Sequence, residues 1–183
     1  MKVLAIVGSP RKKGNTNVVV DHALSEITKK EIGTEKIVIA EHYVNPCHGH
    51  DACDDFKRCK HHDDLPAIYE KVDQADGIIL ATPVYWMNVT AQLKAFIDRA
   101  YFYYQKKHVF RPQAVGFIVI GRGGGRKETL TTLSQYVDYA FDVPTERRLS
   151  MLGWASLVGD AAKDEGLIQQ AKEFGKALVE KLK

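Results

Sequence analysis

The sequence predicts an α/β protein whose parallel sheet is covered by helices on both faces. Two observations carry the prediction. Five short apolar runs alternate along the chain with amphipathic stretches of helical period. Three of the segments that follow those runs are rich in glycine, asparagine, hydroxyl or aromatic residues, as ligand-binding loops at strand ends are.

The first run, Lys2 to Val7, stops at Gly8 and reads as a buried strand. Residues 15–30 follow as a helix with Val18, Val19, Ala23, Leu24 and Ile27 as its apolar positions. Residues 34–40 are the second strand. Segment 41–64 has no periodicity, holds all three cysteines and most of the histidines, and reads as a loop insertion. A helix is expected at 65–74. The third strand, 77–81, is stopped by Thr82-Pro83, and a helix at 90–103 aligns Leu93, Phe96, Ile97 and Ala100. Residues 114–120 form the fourth strand, running into Gly121, and 126–139 the next helix. A fifth strand at 149–154 is weakened by Gly153, and a helix at 164–182 closes the chain. Right-handed crossovers leave two common strand orders, and in both the ligand lies beyond the carboxyl ends of the strands.

With 183 residues the chain is expected to be one domain, 1–183, with 41–64 as its insertion. A net charge of +3 is too small to argue for nucleic acid, and the paired cations Lys12-Lys13, Lys106-Lys107 and Arg147-Arg148 are scattered as on a solvated surface. It does suit a site that attracts anionic dinucleotides. No run of eighteen apolar residues suggests a membrane span, and the N-terminus lacks a secretory pattern, so a cytoplasmic protein is expected. Three cysteines between positions 47 and 59 argue against a disulfide framework and leave a metal or redox role open.

The first unusual loop contains Ser9, Arg11, Lys12, Gly14, Asn15, Thr16 and Asn17. Helix-start N–H groups, small polar side chains and cations make a phosphate cradle, although the loop is neither a Walker loop nor GxGxxG; otherwise it is a polar loop with a helix cap. The second, Pro83-Val84-Tyr85-Trp86-Met87-Asn88, sets adjacent aromatics at a strand end, where they border a planar heterocycle or pack in an interface. The third, Gly121-Arg122-Gly123-Gly124-Gly125, lets the backbone approach a ligand, or is simply a turn. All three belong to one edge of the sheet.

GSPRKKGNTN, PVYWMNVTAQLKAFIDR and GRGGG together resemble the NADPH-dependent FMN reductase superfamily, and within it the iron–sulfur flavoproteins, over roughly the first 130 residues. The resemblance implies a flavodoxin-like sheet of order 2-1-3-4-5, non-covalent FMN, NAD(P)H as co-substrate, and a homodimer or homotetramer. It gives Ser9, Arg11, Asn15, Thr16 and Asn17 to the FMN phosphate. Pro83 to Asn88 would flank the ribityl chain and ring, and Gly121, Gly123, Gly124 and Gly125 the ring's other side. No side chain is assigned a catalytic role, because the chemistry belongs to the flavin. Tyr101-Phe102-Tyr103-Tyr104 reads as an interface cluster.

The same resemblance implies a [4Fe–4S] cluster on four cysteines in the insertion. Here the pattern is Cys47, His50, Cys53 and Cys59, with histidine replacing the second cysteine. Three readings follow: a cluster on these four residues, zinc on the same Cys₃His set, or a loop without metal. The expected function is accordingly an FMN-dependent NAD(P)H oxidoreductase passing electrons to a small-molecule or protein acceptor. A cluster-free FMN or quinone reductase and a non-enzymatic electron carrier are the alternatives.

Overall fold

The computed structural model describes residues 1–50, 53 and 59–182. Five parallel strands, β1 (Lys2–Val7), β2 (Gly33–Val38), β3 (Gly77–Pro83), β4 (Ala114–Gly121) and β5 (Arg148–Trp154), form one sheet of order β2-β1-β3-β4-β5. That is the flavodoxin-like order, whose switch point lies between β1 and β3. Along β1, successive side chains take opposite faces. Leu4 and Ile6 join the core under α2 (Leu65–Asp73), α3 (Ala91–Arg99) and α5 (Arg126–Ala140). Val3, Ala5 and Val7 join the core under α1 (Asn15–Thr28) and α7 (Glu165–Lys181). The two cores explain why β1, β3 and β4 read as continuous apolar runs: both faces are covered.

Element boundaries follow the sequence reading closely, with two differences. The expected helix at 90–103 is two helices, α3 and α4 (Tyr101–Gln105), joined at Ala100. There the Ala100 N–H bonds to Ile97 O at 3.1 Å, an i→i−3 contact that tightens the turn. Past it, the Tyr103 ring packs against Tyr69 and Phe110 in the core. A short helix before α7, α6 (Asp160–Lys163), is too brief to register as a period. Among the described residues no helix is long and apolar enough to cross a membrane.

Candidate functional site

The loops after β1, β3 and β4 converge at the carboxyl edge of the sheet. Their framework is a chain of buried hydrogen bonds. Gly8 N–H donates to Ala81 O at 2.8 Å, and Val84 N–H donates to Ile120 O at 2.8 Å. Thr90 caps α3 by accepting from Leu93 N–H at 3.3 Å, while its hydroxyl donates to Gly8 O at 2.6 Å. One threonine therefore starts a helix and ties the first loop to the second.

In the first loop, Ser9, Thr16 and Asn17 are buried polar residues, 3%, 1% and 2% exposed. Asn17 and Val18 N–H bond to Gly14 O at 3.0 and 3.3 Å, which leaves the Asn15 and Thr16 N–H groups at the start of α1, and no carboxylate stands in that turn to compete for them. Gly14 must be small, because a Cβ there would lie 2.9 Å from Ser9 Oγ and 3.0 Å from the Arg11 carbonyl. Asn17 Nδ2 donates to that same carbonyl at 3.0 Å, and its buried Oδ1 lacks a donor. Asn15 has a different task. Its Nδ2 donates to Leu157 O at 2.7 Å, and its Oδ1 accepts from Gly159 and Ala161 N–H, each at 3.2 Å. It fastens the loop after β5 over the start of α1.

The second loop is a two-residue hairpin turn. Tyr85 and Asn88 exchange backbone bonds of 2.9 and 3.1 Å around Trp86 (φ 46°) and Met87 (φ 64°). Both central residues hold the left-handed conformation that such a turn demands and that glycine would adopt more easily. Trp86 is fully exposed at its tip. The third loop packs beneath it. Gly125, at φ 89°, begins α5, and a Cβ there would meet Met87 Cα at 2.8 Å and Val84 Cγ1 at 2.9 Å.

Two concavities result. One, of about 100 Å³, is lined by Ser9, Arg11, Gly14, Asn15, Thr16, Pro83, Val84, Tyr85 and Arg122, with Ala155, Ser156 and Val158 closing it. The second, of about 300 Å³, is bounded by Val84, Trp86, Met87, Arg122, Gly123 and Gly124. They meet at Val84 and Arg122. The first is polar and sized for a phosphate group; the second is the broader shelf. Lys12 pairs with Glu41 at 3.4 Å, Asn88 Oδ1 accepts from Val89 N–H, and the Gly121 carbonyl accepts from Arg126 and Ala155. These three frame the loops rather than line the two spaces. Sequence reasoning missed the segment 155–158, whose composition carries no ligand signal; only its attachment to Asn15 and to Asp160 brings it over the site.

At its neck the cysteine segment is tied to α3. The Asp63 carboxylate is fully buried and receives Arg99 in bidentate fashion, at 2.6 and 3.1 Å. It also accepts from Asn45 and Leu65 N–H. Burial by itself raises the Asp63 carboxyl, but the hydrogen bonds from Arg99 and Asn45 leave it below the usual aspartate value. Arg99 also donates to Asn45 O at 3.0 Å, so one guanidinium grips both ends of the insertion. Cys59 is half-buried.

Cys53 is buried and Cys47 exposed, at the rim of an apolar groove of about 730 Å³. Tyr101, Tyr104, Tyr136 and Tyr139 line the same groove. Among the described residues no three His, Cys, Asp or Glu side chains gather as a metal site, so Cys47, His50, Cys53 and Cys59 are not assembled into a ligand set. Residues 51, 52 and 54–58 of the segment lie outside the described residues.

Comparison with known proteins identifies the family. The family model for NADPH-dependent FMN reductase matches residues 1–150. An iron–sulfur flavoprotein of Methanocaldococcus jannaschii is 33% identical over 199 aligned residues, covering 100% of this chain and 98% of its own. Among solved structures, an NAD(P)H:quinone oxidoreductase from Methanothermobacter marburgensis superposes with a TM-score of 0.70 at 14% identity, covering 98% of this chain and 97% of that one. An archaeal flavodoxin does so with a TM-score of 0.61 at 14% identity, over 100% and 99%. The structural likenesses establish the fold, and the family match the chemistry. With its flavodoxin-like sheet and its three converging loops, the chain belongs to the NADPH-dependent FMN reductase family and is an FMN-dependent oxidoreductase.

Proposed function

We propose that the protein takes electrons from NAD(P)H onto FMN and passes them to a small-molecule or protein acceptor. The observation that carries this reading is the pair of concavities meeting at Val84 and Arg122. Ser9, Arg11, Thr16 and the Asn15 and Thr16 N–H groups at the start of α1 hold the FMN phosphate, and the Asn15 side chain keeps the 155–159 loop closed over it. Asn17 shapes the cradle from behind by holding the Arg11 carbonyl, and Lys12 adds positive charge at its mouth. Tyr85, Trp86 and Met87 border one side of the ring, and Gly123 and Gly124 the other. Bound there, FMN supplies hydride acceptance and release of electrons singly or in pairs. The chain's residues orient it, bond its polar edge and limit the access of water.

The test is a titration of purified protein with FMN, followed by anaerobic oxidation of NADH and NADPH in turn. Quenching of FMN fluorescence and steady nicotinamide oxidation support the reading. Protein that neither carries nor quenches FMN overturns it. Reduction by a protein donor alone, with no nicotinamide reaction, makes the chain an electron carrier.

Two further features extend the proposal. Copies of the chain pair, as homodimers or homotetramers, through the groove lined by the exposed Tyr101, Tyr104 and Tyr139, which light scattering would detect. The cytoplasm is the proposed compartment, because an odd number of cysteines, three, does not suit a disulfide framework. A metal centre on Cys47, His50, Cys53 and Cys59, a [4Fe–4S] cluster or zinc, is the second reading. The iron–sulfur flavoprotein relative favours it. Iron and zinc counts on anaerobically prepared protein test it.

A further inference from the structure

Arg122 is the charged side chain that the two concavities share. Arg11 lines the first, and among the described residues Arg122 is the charged group that lines the second. No acidic side chain among the described residues lines either space. The neighbouring cations are occupied: Lys12 pairs with Glu41 at 3.4 Å, and Arg126 donates to the Gly121 carbonyl at 3.2 Å. Arg122 is exposed and makes no ion pair among the described residues. Its charge is therefore free to meet whatever fills the neck between the two spaces.

The glycines after it point to a ligand rather than to the fold. Neither Gly123 nor Gly124 has a positive φ. An added Cβ at Gly123 meets nothing within 4 Å, and one at Gly124 meets Met87 at 3.6 Å from Cε and 3.8 Å from Sδ, which is ordinary contact. Backbone and packing would accept side chains at both positions. What glycine leaves open there is the shelf that both residues line. With a phosphate in the first space and a flat ring on the shelf, the ribityl chain runs through the neck, beside Arg122. That chain joins the ring at N10, and the atoms next to N10 on the polar side of the ring are N1 and the C2 carbonyl.

We propose that Arg122 faces the N1–C2 carbonyl edge of FMN and offsets the negative charge that reduction places there, raising the cofactor's midpoint potential. The inference rests on the FMN reading above and goes beyond it by assigning the tuning of potential to one side chain. Hydride transfer moves two electrons and one proton from NAD(P)H to N5. It leaves NAD(P)⁺ and a flavin with one more negative charge, spread over N1 and the C2 oxygen. A cation at that edge stabilises the reduced form more than the oxidised form, and this difference sets the potential. The phosphate carries the same charge in both forms. A cation that met only the phosphate would bind both alike and leave the potential where it was.

The experiment uses full-length, FMN-loaded protein and three variants: Arg122→Gln, Arg122→Lys and Arg11→Gln. The readouts are the dissociation constant of oxidised FMN, by fluorescence titration, and the midpoint potential of bound FMN, by anaerobic equilibration with reference dyes. The thermal midpoint of each FMN-free variant is measured alongside, and the exposed Arg122 should tolerate both replacements. Arg122→Gln is expected to lose about tenfold in preference for reduced over oxidised FMN, the low end for a hydrogen bond to a charged group. For a two-electron couple that is a potential lower by about 30 mV. Arg122→Lys keeps the charge and should retain most of the difference. Arg11→Gln, at the phosphate, should weaken both forms alike and leave the potential unchanged.

An unchanged potential in Arg122→Gln overturns the proposal. If its affinity for oxidised FMN falls at the same time, Arg122 is a phosphate anchor, and the FMN reading stands. Equal falls in potential for Arg11→Gln and Arg122→Gln also overturn it, because the effect then belongs to net charge and not to one edge of the ring. Wild-type protein that binds no FMN removes the FMN reading and the inference together.

Discussion

Replacing Gly125 by alanine separates two costs that usually arrive together. At φ 89° an alanine pays for the left-handed backbone, about 1–2 kcal/mol. Its Cβ would also stand 2.8 Å from Met87 Cα, 2.9 Å from Val84 Cγ1 and 3.0 Å from Met87 Sδ. A flexible side chain could yield, but Met87 Cα is backbone in a turn fixed by the Tyr85–Asn88 bonds. Forcing atoms into such a packed contact typically adds about 1–3 kcal/mol. Gly159 is the matched control: its φ is 94°, and an added Cβ meets nothing within 4 Å. Gly159→Ala should therefore show the backbone cost alone, and Gly125→Ala that cost plus the contact. At about 2–4 °C per kcal/mol for a chain of this size, the excess is a thermal midpoint lower by roughly 2–12 °C. The second loop has to shift to relieve the contact, so FMN affinity should fall more in Gly125→Ala than in Gly159→Ala. Thermal unfolding of FMN-free protein and fluorescence titration with FMN read the two effects. Equal midpoints and equal affinities for the two variants would refute the packing of loop three against loop two.

Asn15→Ala removes three bonds to the loop after β5 and is expected to weaken FMN binding by about 5–30-fold, or about 1–2 kcal/mol, measured by the same titration. Trp86 is solvent-exposed, so its emission should fall on FMN addition, and Trp86→Phe should remove most of that quenching, leaving only the signal of Trp154. Tyr69→Phe deletes the 2.7 Å bond to the buried Phe96 carbonyl and should destabilise by about 1–3 kcal/mol in urea unfolding. Hydrogen bonds from Lys2 and Lys71 hold Glu35 below its ordinary pKa of 4.5. A depressed folded-state value gives stability that is present above the ordinary value and lost as pH falls through the lowered one. Glu35→Gln should accordingly flatten the acid limb of the stability profile below about pH 5 and leave its slope above pH 6 unchanged.

The sheet was legible because burial on both faces writes each central strand as an unbroken apolar run, and the strand-end glycines and Pro83 mark where each stops. The three loops stood out for a related reason, since glycines, polar side chains and adjacent aromatics at those ends break the apolar pattern of the strands. What escaped is tertiary. Asn15 reads as a phosphate donor or a helix cap, yet its side chain clamps a loop 142 residues away. Nothing local in residues 155–158 announces that they cover a ligand cavity. The break at Ala100 was hidden because residues 90–103 keep an apolar face throughout, and only the packing of Tyr103 on Tyr69 requires the turn. The spacing of Cys47, His50, Cys53 and Cys59 suggests a ligand set, but spacing does not bring side chains together, and among the described residues no three such groups gather.

One helix joins the first strand-end loop to the cysteine segment. Thr90, at the N-terminal end of α3, bonds the carbonyl of Gly8 in the phosphate loop. Arg99, at the other end, holds Asn45 and Asp63 at the neck of the cysteine segment. Nine residues of α-helix span about 13 Å, so the flavin loops and the cysteine neck sit at opposite ends of a short, rigid strut. Its buried face, Leu93 and Phe96, is locked into the core beside Tyr69, which leaves the strut little freedom to tilt. The continuous motif from Pro83 to Arg99 is therefore a mechanical unit as well as a sequence one. Its first half shapes the flavin turn, and its last residue grips the loop that carries Cys59. A change that displaces either end of α3 is transmitted to the other, whereas insertions within the cysteine segment beyond Asn45 and before Asp63 need not reach the flavin loops.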